Sequence, residues 1–462
     1  MKDVTEFFTN ESDYPDFDAH GAAERLSAAI RCATVNDGVH YAAFDALQAL
    51  MKESYPALMR AGSFELVGRS VLITIPGGDP ALRPALFMSH QDVVPVVEGT
   101  EKDWTHPPFS GAIADGYIWG RGTLDIKQQV FGVLEAAEYL LSHGARFART
   151  VYLAFGEDEE TYNFGARAVS DTLRDRGVRL EFVLDEGGGK IQSGAPYGAP
   201  EIYISQIDLM EKGYADLELS AKSAGGHSSR PFGGTSLGRL CRAVAHIAED
   251  PFPAQLSPVV RGAFAALAPY ITEEPLKTFV ADLDKNAAAI AEYCLGVPEL
   301  FPLVTTTIAP TVMRGGSAAC NVMPQNMEAV VNFRIAEGHT ADEVMEKCKK
   351  AVDDPEVALR FLQANDPSDT ARSGGFGYRE VQAAMNRYFR DVVILPSMTA
   401  GATDAHHYEQ ICDTCLRCSP FMGNEDEVAR GVHGTDEKLS LRAYAHGIRV
   451  LIHLMERLTE QE

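Results

Sequence analysis

The segment Val151–Thr161, VYLAFGEDEET, runs from apolar residues into four consecutive acids, Glu157, Asp158, Glu159 and Glu160, with no basic residue until Arg167. Other apolar runs end in similar chemistry. LFMSHQD delivers His90 and Asp92, WGRGTLD delivers Asp125, EFVLDEGG delivers Asp185, and GVHGTDE offers His433 in a glycine-flanked loop. Clustered carboxylates repel one another unless they are protonated or share cations. Imidazole with carboxylate suits zinc, cobalt or manganese. A pair of metals about 3.5–4 Å apart needs one bridging carboxylate and about two further ligands each. The run ends supply that set.

Such residues must be carried on elements that converge. SVLITIPG, PALFMSH, TVYLAFG and EFVLDEGGG read as short strands buried on both faces. AAERLSAAIRCATV and FDALQALMKESYPALM carry helix-period apolar positions, and QQVFGVLEAAEYLLSHG reads as an amphipathic helix ending at Gly144. Strand and helix in alternation imply a doubly wound α/β domain with a mostly parallel sheet. Ligands in such sheets gather at the C-terminal ends of the strands. From about Lys212 the pattern changes: YADLELSAKS and NMEAVVNFRIAE alternate apolar and polar, as a sheet with one wet face should. The expected division is a catalytic domain over residues 1–211 and 366–462, with an α+β lid or dimerisation domain inserted at 212–365. Residues 253–300 read as a helical elaboration of that lid.

Composition narrows the partners. The formal net charge is 41 − 65 = −24, which disfavours nucleic-acid and anionic-membrane partners. No apolar run approaches the ~18 residues of a transmembrane helix. The N-terminus has no apolar core of a signal peptide, and eight scattered cysteines suit a reducing compartment. A cytoplasmic enzyme is the expectation. ICDTCLRCSPF, with Cys412, Cys415 and Cys418, lacks the fourth thiol of an iron–sulfur pattern and reads as a strand with small buried residues.

SHQDVVPV, DWTHPPFSGAIADGYIWGRGTLDIK, GEDEE, LDEGG, GGHSSRP, NVMPQ and GVHGTDE occur in the order seen in the co-catalytic zinc peptidase family of aminoacylase, glutamate carboxypeptidase and carboxypeptidase S. The chain resembles that family from roughly His90 to His433, and is most similar to the carboxypeptidase S, or Gly-Xaa carboxypeptidase, branch. The resemblance implies two zinc ions, with cobalt or manganese as substitutes. Asp125 would bridge them, His90 and Asp185 would complete one site, and Glu160 and His433 the other. Asp92 would orient His90. Glu159 would be the general base, taking a proton from a metal-bridging water, because adjacent residues in extended chain point opposite ways. His227 would stabilise the oxyanion, often from a neighbouring subunit of a homodimer. Asn321, Arg334 and Gly401 would hold the substrate.

The implied activity is hydrolysis of an amide next to a free carboxylate, on a small peptide or an N-acyl amino acid. Carboxypeptidase or dipeptidase is the first reading, N-acyl-amino-acid deacylase the alternative. A non-catalytic binding protein on the same fold is a third reading, which loss of the base or the bridging Asp would signal; both are present. Two positions depart from the family pattern. His406 stands where an arginine commonly follows the GTDA-type motif, which bears on substrate preference. Gln128 replaces a small residue.

Overall fold

The computed structural model describes residues 2–423, 428 and 430–459. A nine-stranded sheet forms its centre, ordered Ser63–Val67, Ser70–Ile75, Val151–Gly156, Ala85–His90, Phe182–Asp185, Cys415–Arg417, Tyr203–Glu211 and Val392–Thr399, with Gln192–Ser193 beside Tyr203–Glu211. The four middle strands run parallel, and the flanking pairings mix both senses. Ala85–His90 and Val151–Gly156 are buried at every position, as their unbroken apolar sequences require when helices cover both faces. His90 pairs in register with Gly156, so the residues following these two strands emerge side by side.

The helix Lys127–Ser142 follows Asp125 directly. Its amphipathic reading undersells its burial: from Lys127 to Ala137 every residue is buried. Lys127 tolerates this because Nζ donates to the Ala29 and Cys32 carbonyls, at 3.1 and 2.5 Å. Burial pulls its pKa down to about 8. The run FDALQALMKESYPALM forms two helices, Ala42–Ser54 and Pro56–Ala61. Pro56 takes the first helical position, where its missing N–H costs nothing.

A second, four-stranded antiparallel sheet is ordered Thr307–Gly315, Asn326–Ile335, Gly213–Lys222 and Val357–Asn365. Helices Ser236–Ala248 and Ala341–Val352 cover one face and share a separate apolar core with it. The segment expected to elaborate this unit lies elsewhere. Val259, Val260, Ala263, Phe264 and Leu267, on one side of helix Pro258–Leu267, join the main core, as do Ile290 and Cys294. The helix packs on the Val392–Thr399 edge strand, and Phe264 meets Tyr197 with ring centroids 5.5 Å apart. The reason is that the lid's own helices already occupy the apolar face of its sheet, leaving the stripe of Pro258–Leu267 to cover the exposed margin of the larger one.

Lys212 stands at the junction between the sheets. Its buried Nζ donates to the carbonyls of Pro302 and Thr305, at 2.8 and 2.7 Å, tying the outgoing strand to the returning chain. Among the described residues, no helix is long and apolar enough to cross a membrane.

Candidate active site

The strand ends converge as their sequence implies. Asp125 turns one carboxylate oxygen to each of two histidines: Oδ1 lies 3.1 Å from His90 Nε2, and Oδ2 lies 3.1 Å from His433 Nε2. Glu160 Oε1 stands 3.1 Å from His433 Nε2. The third carboxylate at His90 is Glu186, whose Oε1 is 3.3 Å from Nε2. Two sets of donor atoms thus share Asp125, namely His90, Asp125 and Glu186, and Asp125, Glu160 and His433.

This corrects the expectation for Asp185. That side chain, one residue earlier, points to the opposite face of the chain. Its Oδ1 accepts from the Glu186 backbone N–H at 2.8 Å, and its Oδ2 is buried without a hydrogen-bond partner among the described residues. Alternation accounts for the choice here: Asp185 is the last residue of its extended strand, so it and Glu186 point to opposite sides. Glu159 and Glu160 differ from this pair: they lie in a turn beyond their strand, and both come close to His90. The sequence signal was present in the DE pair.

Asp92 does more than orient His90. His90 Nδ1 lies 3.0 Å from the Asp92 carbonyl and 3.3 Å from its carboxylate. That carboxylate also accepts from the backbone N–H groups of Glu159 and Glu160, at 3.2 and 3.1 Å. One buried acid therefore locks three site residues together. The first two acids of the opening run are structural. Glu157 accepts from the Ser70 hydroxyl, and Asp158 accepts from the N–H groups of Phe164 and Gly165 at 3.0 and 2.8 Å, satisfying the first two free donors of the helix Phe164–Asp175. Glu159 remains, 4.0 Å from His90 Nε2.

Glu437 was missed by sequence reasoning. Fully buried, its Oε1 accepts from the N–H groups of Gly122, Leu124 and Asp125, at 3.0, 2.7 and 3.1 Å, while Oε2 meets Arg121 at 2.7 Å. It joins the loop of Asp125 to the loop of His433. His433 itself holds a left-handed backbone, φ 58°, a conformation uncommon outside glycine and concentrated at functional sites. Gly434 next to it admits no side chain, because a Cβ would lie 1.8 Å from the Arg430 carbonyl oxygen.

The electrostatics fit a cation site. Hydrogen bonds to Asp125 and Glu160 push His433 up to about 10. Burial opposes charge on His90, but the Glu186, Asp125 and Asp92 carboxylates hold its pKa well above the ordinary value. Burial drives Glu159 well above the carboxylate range and lifts Glu186 to about 7. Both imidazoles thus stand in a concentrated negative field, the field that a divalent cation would meet. Hard oxygens and imidazole nitrogens in this number suit zinc or its first-row neighbours.

Beside the cluster opens a cavity of about 750 Å³ between the sheets, lined by Glu159, Glu160, Arg334, Gly401 and His406 among others. Arg334 and Gly401 therefore stand where substrate contacts are expected. Arg334 stacks over Tyr214, 4.8 Å from the ring centroid. His227 and Asn321 are exposed and absent from the lining. The His227 ring accepts from the Ser229 N–H at 3.1 Å, and Asn321 offers its carbonyl to Ser228. Gln128 donates to the Leu124 carbonyl at 2.7 Å. Cys412, Cys415 and Cys418 are buried and free, with Cys415–Arg417 forming a sheet strand as read.

A paired set of imidazole and carboxylate donors at the strand ends of a mixed α/β sheet, with an acid poised beside it, defines a metal-dependent hydrolase. Residues 86–457 match the family described as Peptidase family M20/M25/M40, and the chain belongs to that family. It is 34% identical over 401 residues to the human N-fatty-acyl-amino acid synthase/hydrolase PM20D1, covering 85% of this chain and 78% of that protein. It is 29% identical over 453 residues to the probable carboxypeptidase S-like 2 of Dictyostelium discoideum, covering 94% and 84%. In fold it is similar to the M20 family metallo-carboxypeptidase Sso-CP2 from Sulfolobus solfataricus, with TM-score 0.68 at 18% identity over 95% of this chain and 98% of that one.

Proposed function

We propose that this chain is a dinuclear zinc hydrolase that cleaves an amide bond next to a free carboxylate, acting as a carboxypeptidase or dipeptidase on small peptides. The observation that carries the reading is Asp125, whose two oxygens each face a different histidine at 3.1 Å beside a cavity that holds Glu159 and Arg334. His90, Asp125 and Glu186 would hold one cation, and Asp125, Glu160 and His433 the other. When bound, such a pair polarises a carbonyl and lowers the pKa of water. Glu159 takes a proton from the attacking water and returns it to the leaving nitrogen as the carbon–nitrogen bond breaks. Arg334 faces the cavity with a planar fork suited to a carboxylate.

A second reading, N-acyl-amino-acid deacylase, is favoured by an exposed aromatic pair on the same cavity. Tyr162 and Phe164 stack with centroids 5.9 Å apart and planes 6° apart, a surface fit for an acyl chain. Hydrolysis of dipeptide and N-acyl-amino-acid panels, with and without chelator, separates the two. Activity that survives both metal removal and Glu159→Gln overturns the mechanism.

The finer organisation follows. The body is taken as residues 1–211 and 366–462 together with the helices of 258–304, and the rest of 212–365 as a lid. His227, exposed and absent from the lining of its own chain's cavity, would serve a second copy in a homodimer. Eight free cysteines suit a reducing, cytoplasmic setting.

A further inference from the structure

The cavity is divided by charge. Glu159 and Glu160 line one side, while Arg167, Arg334 and His406 line another. His406 is the unusual member of the second group. Its Nδ1 faces two acceptors, the Thr403 carbonyl at 2.7 Å and Glu211 Oε1 at 3.0 Å, so this nitrogen carries a proton. The side chain retains 28% of its exposure, leaving Nε2 for the cavity. Glu211 is almost wholly buried behind the ring and firmly held. Its Oε2 accepts from the Thr403 N–H at 2.8 Å and hydroxyl at 3.0 Å, and stands 3.5 Å from the fully buried Arg417 guanidinium.

We propose that His406 recognises the substrate's free carboxylate, with Glu211 fixing Nδ1–H so that the protonated ring donates from Nε2 into the cleft. This rests on the reading of the chain as a hydrolase acting next to a carboxylate. A neutral ring with its proton on Nδ1 would present a bare lone pair to the same anion and repel it. Protonation therefore switches the contact from repulsive to attractive.

The surroundings settle which form prevails. Glu211 faces His406 from the central sheet, with Arg417 behind it. Glu409 and His407 belong to the same turn, and Arg167 and Arg334 approach from the helix Phe164–Asp175 and the lid. Burial works against charge on His406, but the hydrogen bond and charge of Glu211, the Thr403 carbonyl and the Glu409 charge together outweigh it and raise the pKa. Despite its own burial, Glu211 is kept ionised chiefly by Arg417. His407, with its ring centroid 3.8 Å from that of His406, is pushed down to about 4 by burial and by its neighbour's charge, and stays neutral. An arginine in this place would grip a carboxylate at any working pH. The histidine grips it below its raised pKa and releases it as the pH climbs through that value.

The test is binding by the metal-loaded protein of an N-acetyl amino acid and of its carboxamide, measured calorimetrically from about pH 6 to 9 to span an imidazole titration. The wild type is expected to favour the carboxylate, and that preference should shrink as pH rises to the part that Arg334 maintains. His406→Gln is expected to weaken carboxylate binding about tenfold, a loss in the range of one charge-assisted hydrogen bond, and to flatten the pH profile. His406→Arg should restore the preference without its pH dependence, which a merely structural role would not do. A wild-type preference that is absent or indifferent to pH, or a His406→Gln variant that keeps the wild-type profile, overturns the proposal. Turnover in the same samples is read separately. Selective, pH-dependent binding without metal-dependent hydrolysis sinks the hydrolase reading and leaves His406 as a carboxylate site.

Discussion

The proposed chemistry turns on Glu159 and Glu186, and they separate experimentally. Glu159→Gln keeps shape and hydrogen-bonding capacity but cannot accept a proton, so turnover should fall about 10²–10⁴-fold while metal content is unchanged. Elemental analysis beside a steady-state assay checks both halves. The choice between neighbouring acids is equally direct. Glu186→Ala should lose metal at one of the two positions, whereas Asp185→Asn should retain both, because Asp185 lies outside the cluster that His90 faces. Equal metal loss in the two variants would put Asp185 among the ligands. Both acids of LDEGG were visible in the sequence. Which of them faces His90 is a matter of strand pleat at one position, and that the sequence alone left open.

Loops and junctions carry the next set of consequences. Glu437 joins two loops more than three hundred residues apart in the chain, accepting three backbone N–H groups and pairing with buried Arg121. Glu437→Ala leaves that guanidinium buried without its partner, an arrangement that costs about 3–5 kcal/mol. A clear drop in denaturation midpoint and about 10–100-fold weaker metal binding should accompany it, read by chemical denaturation and metal titration. Lys212 offers a pH test at the junction of the sheets. Burial lowers its pKa from 10.5 to about 7, so between those values the unfolded chain binds more protons than the folded one. Stability contributed through this group therefore rises with pH over that window and is lost as pH falls towards 7. Lys212→Met should remove that part of the slope, seen as a wild-type-minus-variant difference in midpoint that grows with pH.

For the assembled molecule, the open question is whether one chain makes a complete site. His227 lies exposed, outside the cavity of its own chain. If a second copy receives it, mixing His227→Ala with Glu159→Gln subunits should restore activity that neither has alone. Half of randomly mixed dimers are hybrid, each with one intact site, giving about a quarter of wild-type turnover. Mixtures as inactive as their parents would show that each chain works alone. The division of the molecule was partly legible. The switch from continuous apolar strands to alternating ones near Lys212 marks the change of sheet, since a strand buried on both faces and one with a wet face obey different patterns. The helices of 258–304 escaped that reading. An amphipathic stripe declares that it must be covered, and does not say by which sheet.

The order of the strand-end motifs was enough to state a metal-dependent hydrolase and the kind of fold, because strand burial and residue type are local properties written in each segment. Long-range geometry decided the remainder: that Glu186 and not Asp185 lies against His90, that Glu437 and Asp92 bind the site loops together, and that His406 has a buried carboxylate behind it. Those facts depend on which distant backbones lie against one another, and only the packed chain fixes that.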